Sequence, residues 1–206
     1  MPLPNTTILL IRHAEKLPWH SGLKPSSDIK AAYIDNHILS TKGYERAQAL
    51  VPYFHRRSEI TSLVAERPWG GIIAQAVDDI DGFGKSERPK ETVLPFAESE
   101  GIKGVVPFVT YRKALVKEMV GKLLGGGGGE YEGRTVLVSW CHQMMSDIVK
   151  ALGVKEELVP VWDKKRFDVT WVVKLNGDRG SVEFEQLPQR LLYGDGDSII
   201  PLKKGD

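Results

Sequence analysis

Two short apolar runs constrain this chain most: Thr7–Ile11 (Thr-Ile-Leu-Leu-Ile) and Thr135–Trp140 (Thr-Val-Leu-Val-Ser-Trp). Each is too short for a buried helix and carries β-branched residues, so each reads as a strand covered on both faces. Helical patterns alternate with such strands along the chain. Ser40 or Thr41 caps a helix from about Gly43 to Phe54, with Ala47, Leu50, Val51 and Phe54 on one face. Residues 70–76 read as a strand. Residues 89–99 read as a helix with Pro89 in its first turn, where a missing N–H costs nothing. The pattern then predicts a short strand over Val105–Phe108 and a helix over Arg112–Leu124. Another helix runs over Met144–Leu152, closed by Gly153. Val169–Leu175 and Ser181–Phe184 flank an Asn176-Gly177 turn, which predicts a hairpin at the sheet edge. The alternation gives an α/β class: three layers, α/β/α, with a mainly parallel central sheet and an antiparallel edge hairpin.

A chain of 206 residues suits one domain over 1–206. Two segments lack period: 14–37, a long loop of the kind that carries function, and the glycine run 125–129, a flexible connector. A phosphate-cradling loop would end in Lys-Ser/Thr, and Glu130-Tyr131 is not that. Formal charge is +1, from 28 basic and 27 acidic residues, so no basic excess points to nucleic acid. No apolar run approaches the roughly 20 residues a membrane span needs, and the first residues lack the pattern of a secretory leader. The single cysteine, Cys141, excludes an internal disulfide and a Cys-based zinc site and fits a reducing, cytoplasmic setting.

In an open α/β sheet, ligands bind at the carboxyl ends of strands. Two histidines fall there: His13 after the first run and His142 after the second. Arg12 adjoins His13, and its guanidinium offers a fork of donors matched to phosphate oxygens. A histidine attacks phosphorus when one ring nitrogen is unprotonated and the other is held by a hydrogen bond. His13, His20 and His37 lack the tight spacing of a metal trio, and His55 sits at an exposed helix end. No metal and no cofactor is expected.

Four segments, in order, resemble the histidine phosphatase superfamily, the phosphoglycerate-mutase-like proteins. Ile8-Leu-Leu-Ile-Arg-His-Ala-Glu-Lys16 is similar to the family's strand and Arg-His-Gly signature, with Ala14 for the usual glycine. Leu39-Ser-Thr-Lys-Gly-Tyr-Glu-Arg-Ala-Gln-Ala49 is similar to its helix start. Arg88-Pro-Lys-Glu-Thr92 resembles the stretch with a second arginine. Val136-Leu-Val-Ser-Trp-Cys-His142 resembles the strand ending in a second histidine. Arg166-Phe-Asp-Val-Thr-Trp-Val173 and Gln186-Leu-Pro-Gln189 look like a bacterial and fungal subgroup.

The resemblance implies a phosphoglycerate-mutase-like fold, His13 as nucleophile forming a transient phosphohistidine, and phosphate binding by Arg12, Arg88 and His142. It implies a metal-independent phosphatase, a phosphoric monoester hydrolase, acting on a small phosphorylated metabolite or a phosphoprotein. A phosphoryl mutase or isomerase at the same site, or a repurposed pocket for a non-phosphate anion, are the alternatives. Besides Ala14, the sequence departs from the family pattern in two ways. Gly84 replaces a usual serine four residues before the second arginine. The expected general acid has no clear counterpart: Tyr111–Glu118 is basic at its start, Glu118 lies inside a helix, and Glu15 is usually structural in the family. Around the site, Lys16, Trp19, His20 and Lys24 lie on the long loop and Tyr111 and Arg112 at a strand end, where they would select the substrate. Gln143 and Cys141 flank His142 and would also contact the substrate. Strand alternation would point Cys141 and His142 to opposite faces, leaving Cys141 a small buried residue. Trp162–Arg166 reads as a solvated turn. The expected partner is a small molecule, with neither nucleic acid nor membrane, and the oligomeric state stays open.

Overall fold

The computed structural model describes residues 3–16, 38–77, 86–125 and 129–202. Trp19, His20, Lys24, His37 and Gly84 lie outside the described residues, as do most of the 14–37 segment and 126–128 of the glycine run. The strands are β1 (Thr6–Arg12), β2 (Trp69–Ala76), β3 (Phe108–Arg112), β4 (Thr135–Trp140), β5 (Val169–Asn176) and β6 (Ser181–Pro188). The described helices are α1 (Thr41–Arg56), α2 (Ser58–Glu66), α3 (Arg88–Ala97), α4 (Val116–Leu123) and α5 (His142–Ala151).

One six-stranded sheet runs β3-β2-β4-β1-β5-β6. The β1–β4, β2–β4 and β2–β3 pairs are parallel, and β5 and β6 add antiparallel at one edge. Alternation along the central strands divides the core. Leu9 and Ile11 face a cluster with Leu50, Phe54, Leu63 and Phe96 of α1, α2 and α3. Ile8 and Leu10 face the other cluster, with Met119 of α4 and Met145 and Ile148 of α5. This is the expected three-layer arrangement. Ile8 to Ile11 are all fully buried, which stabilises by about 1.5–3 kcal/mol for each side chain. Among the described residues no helix is long and apolar enough to cross a membrane.

Several boundaries differ from the sequence expectation. The third strand begins at Phe108, not Val105. Gly101 and Gly104 take positive φ, and the Val106 N–H closes a turn on the Ile102 carbonyl, so the chain is still turning at Val105. The helix expected from Arg112 starts at Val116, after a 3-10 turn over Lys113–Leu115, because Arg112 still pairs in the sheet. The hairpin loop is a 3-10 turn, Gly177–Arg179, closed by Gly180 at φ 62, not a two-residue turn. Helix α2 buries only Ile60 and Leu63, too little to make a clear period in the sequence.

Candidate active site

Strands β1 and β4 are parallel neighbours in register, with Arg12 opposite Trp140. Chains leaving adjacent strands at one level emerge side by side. The His13 N–H donates to the Trp140 carbonyl at 3.1 Å, and His142 follows two residues after Trp140 as the first residue of α5. That placement corrects one expectation. Cys141 is the N-cap of α5, so strand alternation stops before it and does not set the two side chains on opposite faces. The Cys141 N–H donates to Oε1 of buried Gln75 at 3.3 Å. Burial, as the main cause, pushes its thiol pKa up, which keeps it a neutral group.

Arg88 opens α3. Thr92, one turn later, donates its hydroxyl to the Arg88 carbonyl at 2.7 Å and accepts the Ala14 N–H at 2.8 Å. This single hydroxyl ties the start of α3 to the residue after His13. Helix α1 is placed from the other side: Ser40 caps it by accepting the Gly43 N–H. A Cβ on Gly43 would run into the Glu15 carbonyl oxygen. Glycine is needed there for close approach rather than for conformation.

The ring of His13 is buried. Its Nδ1 lies 2.7 Å from the Ala14 carbonyl oxygen. A carbonyl only accepts, so Nδ1 carries the proton and Nε2 keeps its lone pair. Burial first, and then the Arg12 charge, hold the His13 pKa well below 6.5, with Arg88 and His142 adding to the effect. His142 is pushed down to about 4 by burial, then by the charges of Arg12, Lys16, Lys113 and Lys164. Both imidazoles are therefore neutral at pH 7. The Nδ1 of His142 is buried with no hydrogen-bond partner among the described residues.

Arg12 is clamped from behind. Its Nη1 donates to the carbonyls of Lys164 (2.6 Å) and Arg166 (2.9 Å). Its guanidinium lies 3.8 Å from the centre of the Phe167 ring, a cation–π geometry. Nε is buried without a hydrogen-bond partner among the described residues. The Trp162–Arg166 segment is thus a wall of the site and not a simple solvated turn. Trp162 is buried against Trp171, and its Nε1–H donates to the Arg166 carbonyl at 3.0 Å.

The structure therefore brings together Arg12, His13, Arg88 and His142, close enough that their charges bear on one another. Lys16 is exposed and paired through its backbone with Leu39, and its charge reaches His142. Gln143 is exposed and accepts from Lys113 Nζ at 3.2 Å. Tyr111 packs on the core beneath α4 and α5, and the charges felt by its hydroxyl are those of Glu130 and Glu118. Trp19 and His20 lie outside the described residues. Phe167, Thr92, Lys113 and Lys164 complete the surroundings. For Phe167 the sequence signal is its place within Arg166-Phe-Asp-Val-Thr-Trp-Val173. Among the described residues, no three His, Cys, Asp or Glu side chains cluster as a metal would require.

The depressed histidines have a consequence for stability. An unfolded imidazole takes up a proton near pH 6.5, whereas His142 in the folded chain does so only near 4. Between those values the unfolded state binds more protons, so stability falls as pH drops from about 6.5 towards 4. The midpoint of thermal unfolding should fall between pH 7.5 and 5. It should fall less in His142→Asn, which has no proton to gain. An equal drop in both would remove His142 as a source.

No family model matches the chain, and no curated protein matches it. Solved structures do. A crystal structure described as a candidate phosphohistidine phosphatase, SixA, from Agrobacterium tumefaciens shares 13% identity. It covers 89% of this chain and 97% of its own, with a TM-score of 0.52. A phosphoglycerate mutase from Plasmodium falciparum also matches at 13% identity, over 98% of this chain and 97% of its own, with a TM-score of 0.44. The order of strands and helices and the likeness to the first of these give the conclusion for the fold: this chain has the phosphoglycerate-mutase-like α/β/α fold.

Proposed function

We propose that the chain is a metal-independent phosphatase working through a phosphohistidine on His13. The observation that carries this reading is the His13 Nδ1–H bond to the Ala14 carbonyl at 2.7 Å, which aims an unprotonated Nε2 away from the backbone in a cationic setting. Nε2 attacks phosphorus. Arg12, Arg88 and His142 hold the phosphoryl oxygens, over which the transition state spreads its charge. Two guanidiniums supply the positive charge that a metal ion would otherwise bring. Water then hydrolyses the phosphohistidine.

The substrate is a small phosphorylated molecule or a phosphorylated protein side chain. Turnover of 4-nitrophenyl phosphate in excess EDTA tests the reading. The expected result is release of nitrophenol at a rate unchanged by the chelator. No turnover of this or any other phosphate, combined with tight phosphate binding, would favour a pocket that only holds anions.

A further inference from the structure

Among the described residues the site is rich in cations and no carboxylate stands ready as an acid, and both bear on the leaving group. A departing alkoxide needs a proton, and a carboxylic acid beside it can supply a factor of roughly 10²–10⁴. Three of the described carboxylates nearby are held by other groups. Glu15 is held by two nitrogens of Arg46, at 2.8 and 2.9 Å. Glu91 accepts from the Leu39 N–H and the Tyr44 hydroxyl. Asp163, whose charge reaches Arg12, accepts the Lys165 N–H at 2.8 Å. Glu118, the candidate from the sequence, is exposed on α4.

Lysines stand beside the site instead. Lys113 leaves the end of β3 and hydrogen-bonds Gln143, the neighbour of His142 on the first turn of α5. Lys164 sits on the wall whose carbonyl holds Arg12 at 2.6 Å. With Lys16, their charges converge on the His142 imidazole. A lysine ammonium can stabilise or protonate a departing alkoxide, but several together favour most a leaving group that is itself a polyanion, which needs no proton.

We infer that the phosphoryl group removed here is the terminal one of a phosphoanhydride, and that Lys113 and Lys164 hold the departing phosphate. The inference rests on the phosphohistidine reading above. Nε2 of His13 bonds to the terminal phosphorus as the bond to the bridging oxygen breaks. The electron pair stays on that oxygen, so tripolyphosphate leaves diphosphate behind without proton transfer. Water then attacks the phosphohistidine; the ring nitrogen keeps the N–P electron pair, orthophosphate departs, and the surplus proton goes to solvent.

The test compares kcat/KM in EDTA for tripolyphosphate, a nucleoside triphosphate, phenyl phosphate, phosphoramidate and 4-nitrophenyl phosphate. The expected result is that tripolyphosphate or the nucleotide exceeds phenyl phosphate and phosphoramidate by at least about 100-fold. Whichever of the two is faster identifies an inorganic or a nucleotide source. In Lys113→Met/Lys164→Met, the ratio of anhydride to 4-nitrophenyl phosphate turnover should fall at least about tenfold. Lys113→Arg/Lys164→Arg should restore most of it. A preference for phenyl phosphate or phosphoramidate, or an unchanged ratio in the methionine variant, overturns this inference and leaves the phosphatase reading standing. Turnover of none of the five removes both.

Discussion

His13→Ala should lower kcat for hydrolysis of 4-nitrophenyl phosphate by at least about 10⁴-fold, because it removes the group proposed to form the covalent intermediate. Arg12, whose pKa burial lowers to about 10, stays charged at pH 7, as does Arg88, so the proposed anion binding should outlive the nucleophile. His13→Ala should therefore still bind inorganic phosphate, read by calorimetry or by a rise in the unfolding midpoint. The pairing of lost turnover with kept binding separates a missing nucleophile from a collapsed site. Activity within tenfold of the parent would mean that another group attacks.

The second large effect lies away from the reacting atoms. Arg46 is buried in α1 and makes two-pronged bonds to Glu15 and to Asp195, at 2.7–2.9 Å. Asp195 also accepts the Leu191 and Leu192 N–H groups. Burial alone would raise its pKa; the bonds from Arg46 and these amides override it and hold the carboxyl at about 2. Glu15 stands two residues after His13, and Asp195 lies in the chain beyond β6. Arg46 therefore fastens the C-terminal segment to the strand end that carries the site.

Arg46→Met strands two largely but not fully buried carboxylates, which should cost about 3 kcal/mol, the low end for a broken buried pair. In a chain of this size that is a fall in the unfolding midpoint on the order of 10 °C. The control is Arg57→Ala, which breaks the partly exposed Arg57–Glu59 pair and should cost under about 1 kcal/mol. Similar midpoints for the two variants would show that Arg46 is no clamp. The Asp195 contribution also has a defined pH window. Its folded pKa is depressed, so the stability is present above about 3.8 and lost as pH falls through about 2.

The parts of this molecule that could be read from the sequence are those set by short-range rules. Ile8–Ile11 and Val136–Val138 announce central strands because they are apolar on both faces, and only a doubly covered sheet hides both. Arg12, His13 and His142 follow from where those strands stop, whereas Arg88 comes only from the family resemblance of Arg88-Pro-Lys-Glu-Thr92. The long-range partners could not be read this way. Phe167 and the carbonyls of Lys164 and Arg166 meet Arg12 from more than 150 residues away, and no spacing rule connects them. Arg46 looks like a solvated helix arginine until Asp195 folds onto it. Strand alternation fails at Cys141 because one residue decides whether strand or helical geometry applies, and boundaries are where local patterns fail.

The central claim is that Nε2 of His13 bonds to phosphorus. Mixing the protein with ³²P-labelled substrate, quenching in alkali within milliseconds and mapping the label by mass spectrometry tests it most directly. Phosphohistidine is stable in alkali and lost in acid, so its signature is distinct. Label is expected on His13, absent from His13→Ala and chased by unlabelled substrate. Turnover with no phosphorylated enzyme at any time, or label on a different residue, would contradict it.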